Sequence, residues 1–146
     1  MTRGDLSWFY EFQCDLESNE LAAVYPRSEA DFHDHWHNIL TDSKTTAKAI
    51  IADQHPVGSI SCFCCDGQNS VGYWIGRPFW GQGIASTALR LLLAIETRRP
   101  LFARVARENG ASIRVLQKCG FEITGYEFSP GTDRFVECEE ATLKLE

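Results

Sequence analysis

Positive charge is scarce in this chain: Lys and Arg number 14 against 20 Asp and Glu, for a formal charge of −6 and a pI near 5.2. Nonspecific nucleic-acid binding needs a dense basic surface to displace counterions, so that class is set aside. Long apolar runs are missing too. No stretch reaches the roughly 18 apolar residues that mark a membrane helix, and positions 1–10 mix charge with aromatics where a secretory signal would carry an apolar core. The reading is a cytoplasmic protein with neither a membrane nor nucleic acid as partner. Repeats, low-complexity segments and linkers are also absent. With 146 residues, 44% of them hydrophobic and 23% charged, the chain suits one globular domain over 1–146.

Metal signatures are incomplete. Six cysteines (Cys14, Cys62, Cys64, Cys65, Cys119, Cys138) are many for this length, yet the triplet has no second C-x-x-C at zinc-ribbon spacing. Reduced thiols are expected, with the triplet as small buried hydrophobes on a strand. His33 and His37 stand four apart with His35 between them, but no glutamate completes an H-E-x-x-H motif. A solvated histidine face opposite Phe32 and Trp36 explains the same letters, and no metal is expected.

What is present is the run Trp80-Gly81-Gln82-Gly83-Ile84-Ala85 between an extended stretch, 71–75, and a periodic helical stretch, 84–97. Strand, glycine loop and helix start together build an anion pocket. Gly81 and Gly83 let a ligand approach the backbone N–H groups, and the helix adds unpaired donors and the positive end of its dipole. A phosphate or pyrophosphate is the natural guest.

Along the chain, Asp5 opens a helix to about residue 17, and Ser28 with Asp31 resembles a capping box for a second, with Phe32, Trp36, Ile39 and Leu40 as its buried stripe. Stretches 47–52, 57–64 and 70–75 read as strands joined by short turns. This meander argues against a dinucleotide-binding fold, which needs parallel strands with helical crossovers around its glycine loop, and the third glycine of that motif is lacking near Ser86. In helix 84–97, Ile84, Ala88, Leu91, Leu92 and Ile95 recur at helical spacing. Strand 101–106 must be reached by a crossover and so lies parallel to the strand before the loop. Helix 111–119, ending at Gly120, and strands 121–128 and 135–145 complete the chain.

These residues carry a resemblance. The span 71–121 is similar to the GNAT superfamily of N-acetyltransferases, in its ribosomal-protein-alanine acetyltransferase-like branch. Trp80, Gly83 and Ala85 match the pyrophosphate motif (Gln or Arg, two residues, Gly, one residue, Gly or Ala), with Trp80 departing from the usual first residue. The run from Asn109 through Gly110, Ala111 and Ser112 to Lys118, Gly120 and Phe121 resembles the family's N-x-x-S-x-x-v-l-x-k-x-G-F. A fainter likeness extends from Asp5 onward, and the family's first strand is missing before the first helix, so that either the start is truncated or another segment, such as one from a partner subunit, covers the sheet edge.

The resemblance implies an α/β (α+β) fold: a mixed central sheet, mostly antiparallel, with one parallel pair splayed around an acetyl-CoA site, and about four helices. It implies acetyl-CoA as co-substrate and an amine acceptor, a protein N-terminus or a small molecule, attacking directly in a ternary complex. The alternative is a catalytically silent acyl-CoA-binding or regulatory module. A homodimer stays open. For coenzyme A, the resemblance points to Trp74, Ile75 and Gly76 pairing with the pantetheine arm. Backbone N–H groups from Gln82 through Ile84 and Ala85 to Ser86 would hold the pyrophosphate, with Gly81 and Gly83 keeping the approach clear. Asn109, Ser112 and Lys118 would lie along the same ligand.

For catalysis, many relatives have a tyrosine acid where this chain has Leu116, which cannot donate a proton. Ser112 is the substitute donor to the departing thiolate, and an N–H near Ile75 is the oxyanion donor. Tyr73, Glu127, Glu122, Glu137 or a water relay stand as base. Trp8, Tyr10, Tyr25, Arg27 and Phe128 are expected to line the acceptor groove between the first two helices and the last strand–strand loop, and the acidic net charge agrees with a cationic amine.

Overall fold

The computed structural model describes residues 3–146, and the backbone alone at Arg3. The chain opens with α1 (Arg3–Gln13), α2 (Leu16–Ala22) and α3 (Glu29–Thr41). The helix expected over 5–17 is therefore two helices, and α1 begins at Arg3 rather than at an Asp5 cap. The break has a local cause. The Asp15 carboxylate accepts from the Ser18 N–H at 2.9 Å and its hydroxyl at 2.8 Å, capping a new helix, while Asn19 Nδ2 donates to the Gln13 carbonyl at 2.7 Å. Ser28 caps α3 as anticipated, accepting from the Asp31 N–H. On α3, Phe32 and Trp36 are buried, but Leu40 is exposed.

The meander follows as β1 (Thr46–Ala52), β2 (His55–Cys65) and β3 (Gln68–Ile75), then a short 3-10 turn (Arg77–Phe79), α4 (Ile84–Ile95), β4 (Leu101–Ala106), α5 (Gly110–Lys118), β5 (Glu122–Ser129) and β6 (Cys138–Leu145). The six strands form one sheet in the order β1-β2-β3-β4-β6-β5. Every neighbouring pair is antiparallel except β3 with β4, which meet in parallel register at Ser70 and Phe102 and then part. Among the described residues five α-helices stand where about four were expected, α2 being the addition.

Alternation along the strands splits the core between the two faces of the sheet. Ile60, Cys62 and Val71 pack with Ala88, Leu89, Leu92 and Leu116 beneath α4 and α5. On the other face Leu6, Phe9, Phe32 and Trp36 of α1 and α3 cover Ala47 and Ala49. Cys62 is fully buried, but Cys64 and Cys65 are exposed, so the triplet is not uniformly a set of buried hydrophobes. The face of α4 also differs from expectation. Leu89 and Leu92 turn inward, whereas Leu91 and Ile95 are 65% and 61% exposed.

β6 starts at Cys138 rather than 135; ahead of it Phe135 makes an isolated bridge with Val24, tying the β5–β6 loop to the chain between α2 and α3. Among the described residues no helix is long and apolar enough to cross a membrane.

Candidate active site

The loop between β3 and α4 is held by its own side chains. The Trp80 indole N–H donates to the Ile75 carbonyl at 2.9 Å, and Arg77 reaches Glu17 of α2 at 2.6 Å and Asp15, the N-cap of that helix, at 3.5 Å. Gly81 and Gly83 both lie at positive φ, 76° and 74°, and nothing stands within 4 Å of where a Cβ would be. Gly83 is the N-cap of α4 with no capping side chain, so the first-turn N–H groups of Ile84, Ala85 and Ser86 lack an intrahelical acceptor. They open on a cleft of about 420 Å³.

Ten of the twelve residues expected to contact coenzyme A line this cleft: Trp74, Ile75, Gly81, Gly83, Ile84, Ala85, Ser86, Asn109, Ser112 and Lys118. Gly76 and Gln82 do not. The Gly76 N–H donates to the Val57 carbonyl at 2.8 Å, and a Cβ there would come within 2.7 Å of the Phe12 ring, so helix packing already accounts for that glycine. Ser18, Leu21 and Ala22 of α2, with Tyr73, Phe79, Trp80, Ala111 and Val115, complete the wall. The α2 residues had a readable signal in the Asp15–Ser18 cap spacing.

The Gly76–Val57 bond also fixes the neighbouring pair. Gly58 and Ile75 face each other, and a bond from the next residue makes theirs a non-hydrogen-bonded pair, so the Ile75 N–H points away from β2 into the gap left by β4. That gap is a second cavity of about 170 Å³ between Val71, Gly72 and Tyr73 on one side and 103–106 on the other. A third, about 150 Å³, lies on the α1/α3 face over Gly72 and Trp74. Tyr73 borders all three.

The Tyr73 hydroxyl lies 2.7 Å from Ser112 Oγ and donates to the Ser112 carbonyl at 3.2 Å. Burial pushes the phenol above its usual value, partly offset by the Ser112 hydrogen bond, so Tyr73 holds its proton at neutral pH and is a donor rather than a base. Asn109 caps α5, its Oδ1 accepting from the Ser112 N–H at 3.3 Å, and so performs the plain structural role while also facing the cleft. Leu116 is buried in the core.

The carboxylates considered as base lie elsewhere. Glu127 pairs with Arg104 at 3.2 Å on the outer sheet, and neither it nor Glu122 nor Glu137 borders any of the three cavities. Glu140, whose strand position gave no hint of a role, borders the gap and pairs with Arg104 at 3.3 Å. Of the expected acceptor-groove residues only Arg27 lines a cavity; Trp8, Tyr25 and Phe128 are exposed, and Tyr10 packs edge-on against Phe32. Phe9, Trp36, His35 and Arg134 take their places. Among the described residues no three His, Cys, Asp or Glu side chains gather as a metal-ligating group.

A sheet that parts between two parallel strands, with a glycine-capped helix at the mouth of the gap, is the architecture of a coenzyme-A-dependent acyltransferase. The acetyltransferase (GNAT) domain model matches residues 1–122, and the chain belongs to that family, whose members are N-acetyltransferases using acetyl-CoA. Among curated proteins none matches by sequence. Solved structures of the same fold include a ribosomal-protein-alanine N-acetyltransferase from Brucella melitensis (TM-score 0.83, 20% identity, covering 99% of this chain and 96% of that one). Spermidine N-acetyltransferase from Vibrio cholerae, in complex with CoA and spermine, is similar (0.81, 16%, 99% and 91%). So is a phosphinothricin acetyltransferase from Sinorhizobium meliloti in complex with acetyl-CoA (0.80, 16%, 99% and 84%).

Proposed function

We propose that this chain transfers the acetyl group of acetyl-CoA to a primary amine by direct attack in a ternary complex. The observation that carries the reading is the position of Tyr73, a residue that borders the coenzyme cleft, the gap in the sheet and the cavity beyond it. Donor and acceptor can therefore meet at one point from opposite faces of the sheet.

The residues present fit acetyl-CoA: first-turn N–H groups without acceptors, a glycine approach free of side chains, and an unpaired strand edge for an extended arm. When bound, acetyl-CoA supplies an activated thioester. The Ile75 N–H, turned into the gap, is the fixed donor for the charge that would grow on the carbonyl. The Tyr73 and Ser112 hydroxyls share a 2.7 Å hydrogen bond in which either can donate; in the reading proposed, Tyr73 turns its proton from the Ser112 carbonyl to Ser112 Oγ, and the Ser112 proton goes to the departing sulfur. This pair replaces the tyrosine that relatives carry at the position of buried Leu116. Glu140, the carboxylate that borders the gap, is paired with Arg104, so in this reading the amine arrives neutral and orientation supplies much of the rate.

The acceptor is an amine on a protein N-terminus or a small molecule; the similar structures span ribosomal-protein, polyamine and phosphinothricin enzymes, so the fold does not select among them. The test is thiol release from acetyl-CoA with a panel of amines, alongside calorimetry of CoA. Release with at least one amine is expected; CoA binding with no release across the panel would establish the silent binding module that Leu116 makes the second reading.

A further inference from the structure

The cavity on the α1/α3 face carries a charge opposite to that of the molecule. Arg27, His35 and Arg134 line it, and no Asp or Glu does. Among the described residues neither arginine is in an ion pair. Asp31 attracts Arg27 electrostatically from outside the lining.

Both arginines are held in place by their backbones. Gln13, 6% exposed, grips Arg27 on both sides, its Oε1 accepting from the Arg27 N–H at 2.8 Å and its Nε2 donating to the Arg27 carbonyl at 3.2 Å. Arg134 is set by the bridge between the β5–β6 loop and the α2–α3 connection: its carbonyl accepts from the Tyr25 N–H at 2.7 Å, and its Nη1 donates to the Tyr25 carbonyl. The Arg134 Nε–H is buried without a partner.

Two arginines that line one cavity without a carboxylate among its walls, one with an orphaned buried donor, are costly unless an anion joins them. A carboxylate matches the arginine fork in geometry as well as charge. Charge crowding acts in the same direction: burial and then Arg27 hold Arg134 down to about 10, and burial, then Arg27 and Arg134, hold His35 down to about 4. Phe32 and Trp36 wall the remaining space, and Gly72 and Tyr73 line both this cavity and the sheet gap.

We infer that the acceptor is a small amine that also bears a carboxylate, held by Arg27 and Arg134 while its amine reaches Tyr73. The inference rests on the acetyl-transfer reading and narrows it. It reverses the expectation from net charge, since a polycation entering this cavity meets two like charges.

The test pairs each of a panel of α- and ω-amino carboxylates with its carboxamide and its decarboxylated amine, with spermidine and phosphoethanolamine as further arms. For at least one carboxylate, kcat/KM should exceed that of its carboxamide by about tenfold or more, as expected for a charge-assisted hydrogen bond. Arg134→Gln should collapse that ratio toward one. Spermidine, phosphoethanolamine or the carboxamides matching or exceeding every carboxylate would overturn the inference while leaving acetyl transfer intact.

A second readout does not need turnover. In the free protein the His35 imidazole titrates near pH 4. By NMR, a bound amino carboxylate should raise that midpoint by neutralising the two arginines, and the carboxamide should not. If no amine is acetylated, acetyl transfer fails, and the His35 midpoint alone decides the anion site: unmoved by every carboxylate, it refutes it. If Arg134→Gln does not fold, the carboxylate-to-carboxamide ratio and the His35 midpoint of the unaltered protein decide.

Discussion

Tyr73 and Ser112 share a contact across 39 positions of sequence. Ser112→Ala should lower kcat by about 10- to 100-fold, the range of a hydrogen bond to a charged group, with little change in KM for acetyl-CoA. Tyr73→Phe should lower it by about tenfold without moving the pH dependence, because the phenol keeps its proton throughout the working range. Steady-state kinetics over pH checks both. Two other side chains govern stability in acid. His35 has its folded pKa lowered to about 4 from 6.5 by burial, Arg27 and Arg134, so its contribution is complete above 6.5 and is lost as pH falls through 4. Glu96 is held at about 2, from 4.5, mainly by hydrogen bonds from Arg98, so its contribution is complete above 4.5 and is lost as pH falls through 2. Urea titrations should show decline in these two windows, with His35→Gln removing the first. Ser112 and Asn109 were legible because a motif of fixed spacing holds them. Arg134 and Gln13 were not: one sits in an aperiodic loop, the other on a helix face whose partner is fourteen residues away.

At the scale of elements, the glycine loop and α4 behave as a unit. Gly83→Val should cost the loop its positive φ at Gly83 and put a branched side chain into the cleft, with strain of roughly 1–2 kcal/mol or more. The fold should survive, since the glycine touches no packed atom, while calorimetry should show CoA affinity lost; unchanged affinity would show that the loop is not the cradle. Helices were easier to find than to orient. In α4, the run Leu91-Leu92-Leu93 offers an apolar residue to every direction, so spacing alone could not tell that Leu89 and Leu92 face the sheet. In α1 and α2 the apolar periodicity continued through a boundary that only the Asp15 cap marks. The strands were read within one or two residues apart from β6, because short turns and alternation bound them; its predicted start belongs to a long-range bridge that no local pattern encodes.

For the whole molecule, part of the topology was legible from connection lengths: short turns imply antiparallel neighbours, and the crossover through α4 implies the parallel β3–β4 pair, but connection lengths do not tell that β6 enters between β4 and β5, which α5 joins. Charge was not, because net charge averages a surface and says nothing of the cavity around Arg27 and Arg134. The parallel pair has a mechanical meaning. Between β3 and β4 the main chain is stitched at Ser70 and Phe102 alone, so the meander and the C-terminal hairpin are two panels meeting along a mostly unfastened seam. A pantetheine arm lying against β3 would act as extra thread. Saturation with CoA at about a hundred times its Kd should then stabilise the fold by about 2.7 kcal/mol. The gain should concentrate along the seam, with amide hydrogen exchange slowing most at Tyr73 and Ile75, the two backbone N–H groups that alternation turns toward the open side.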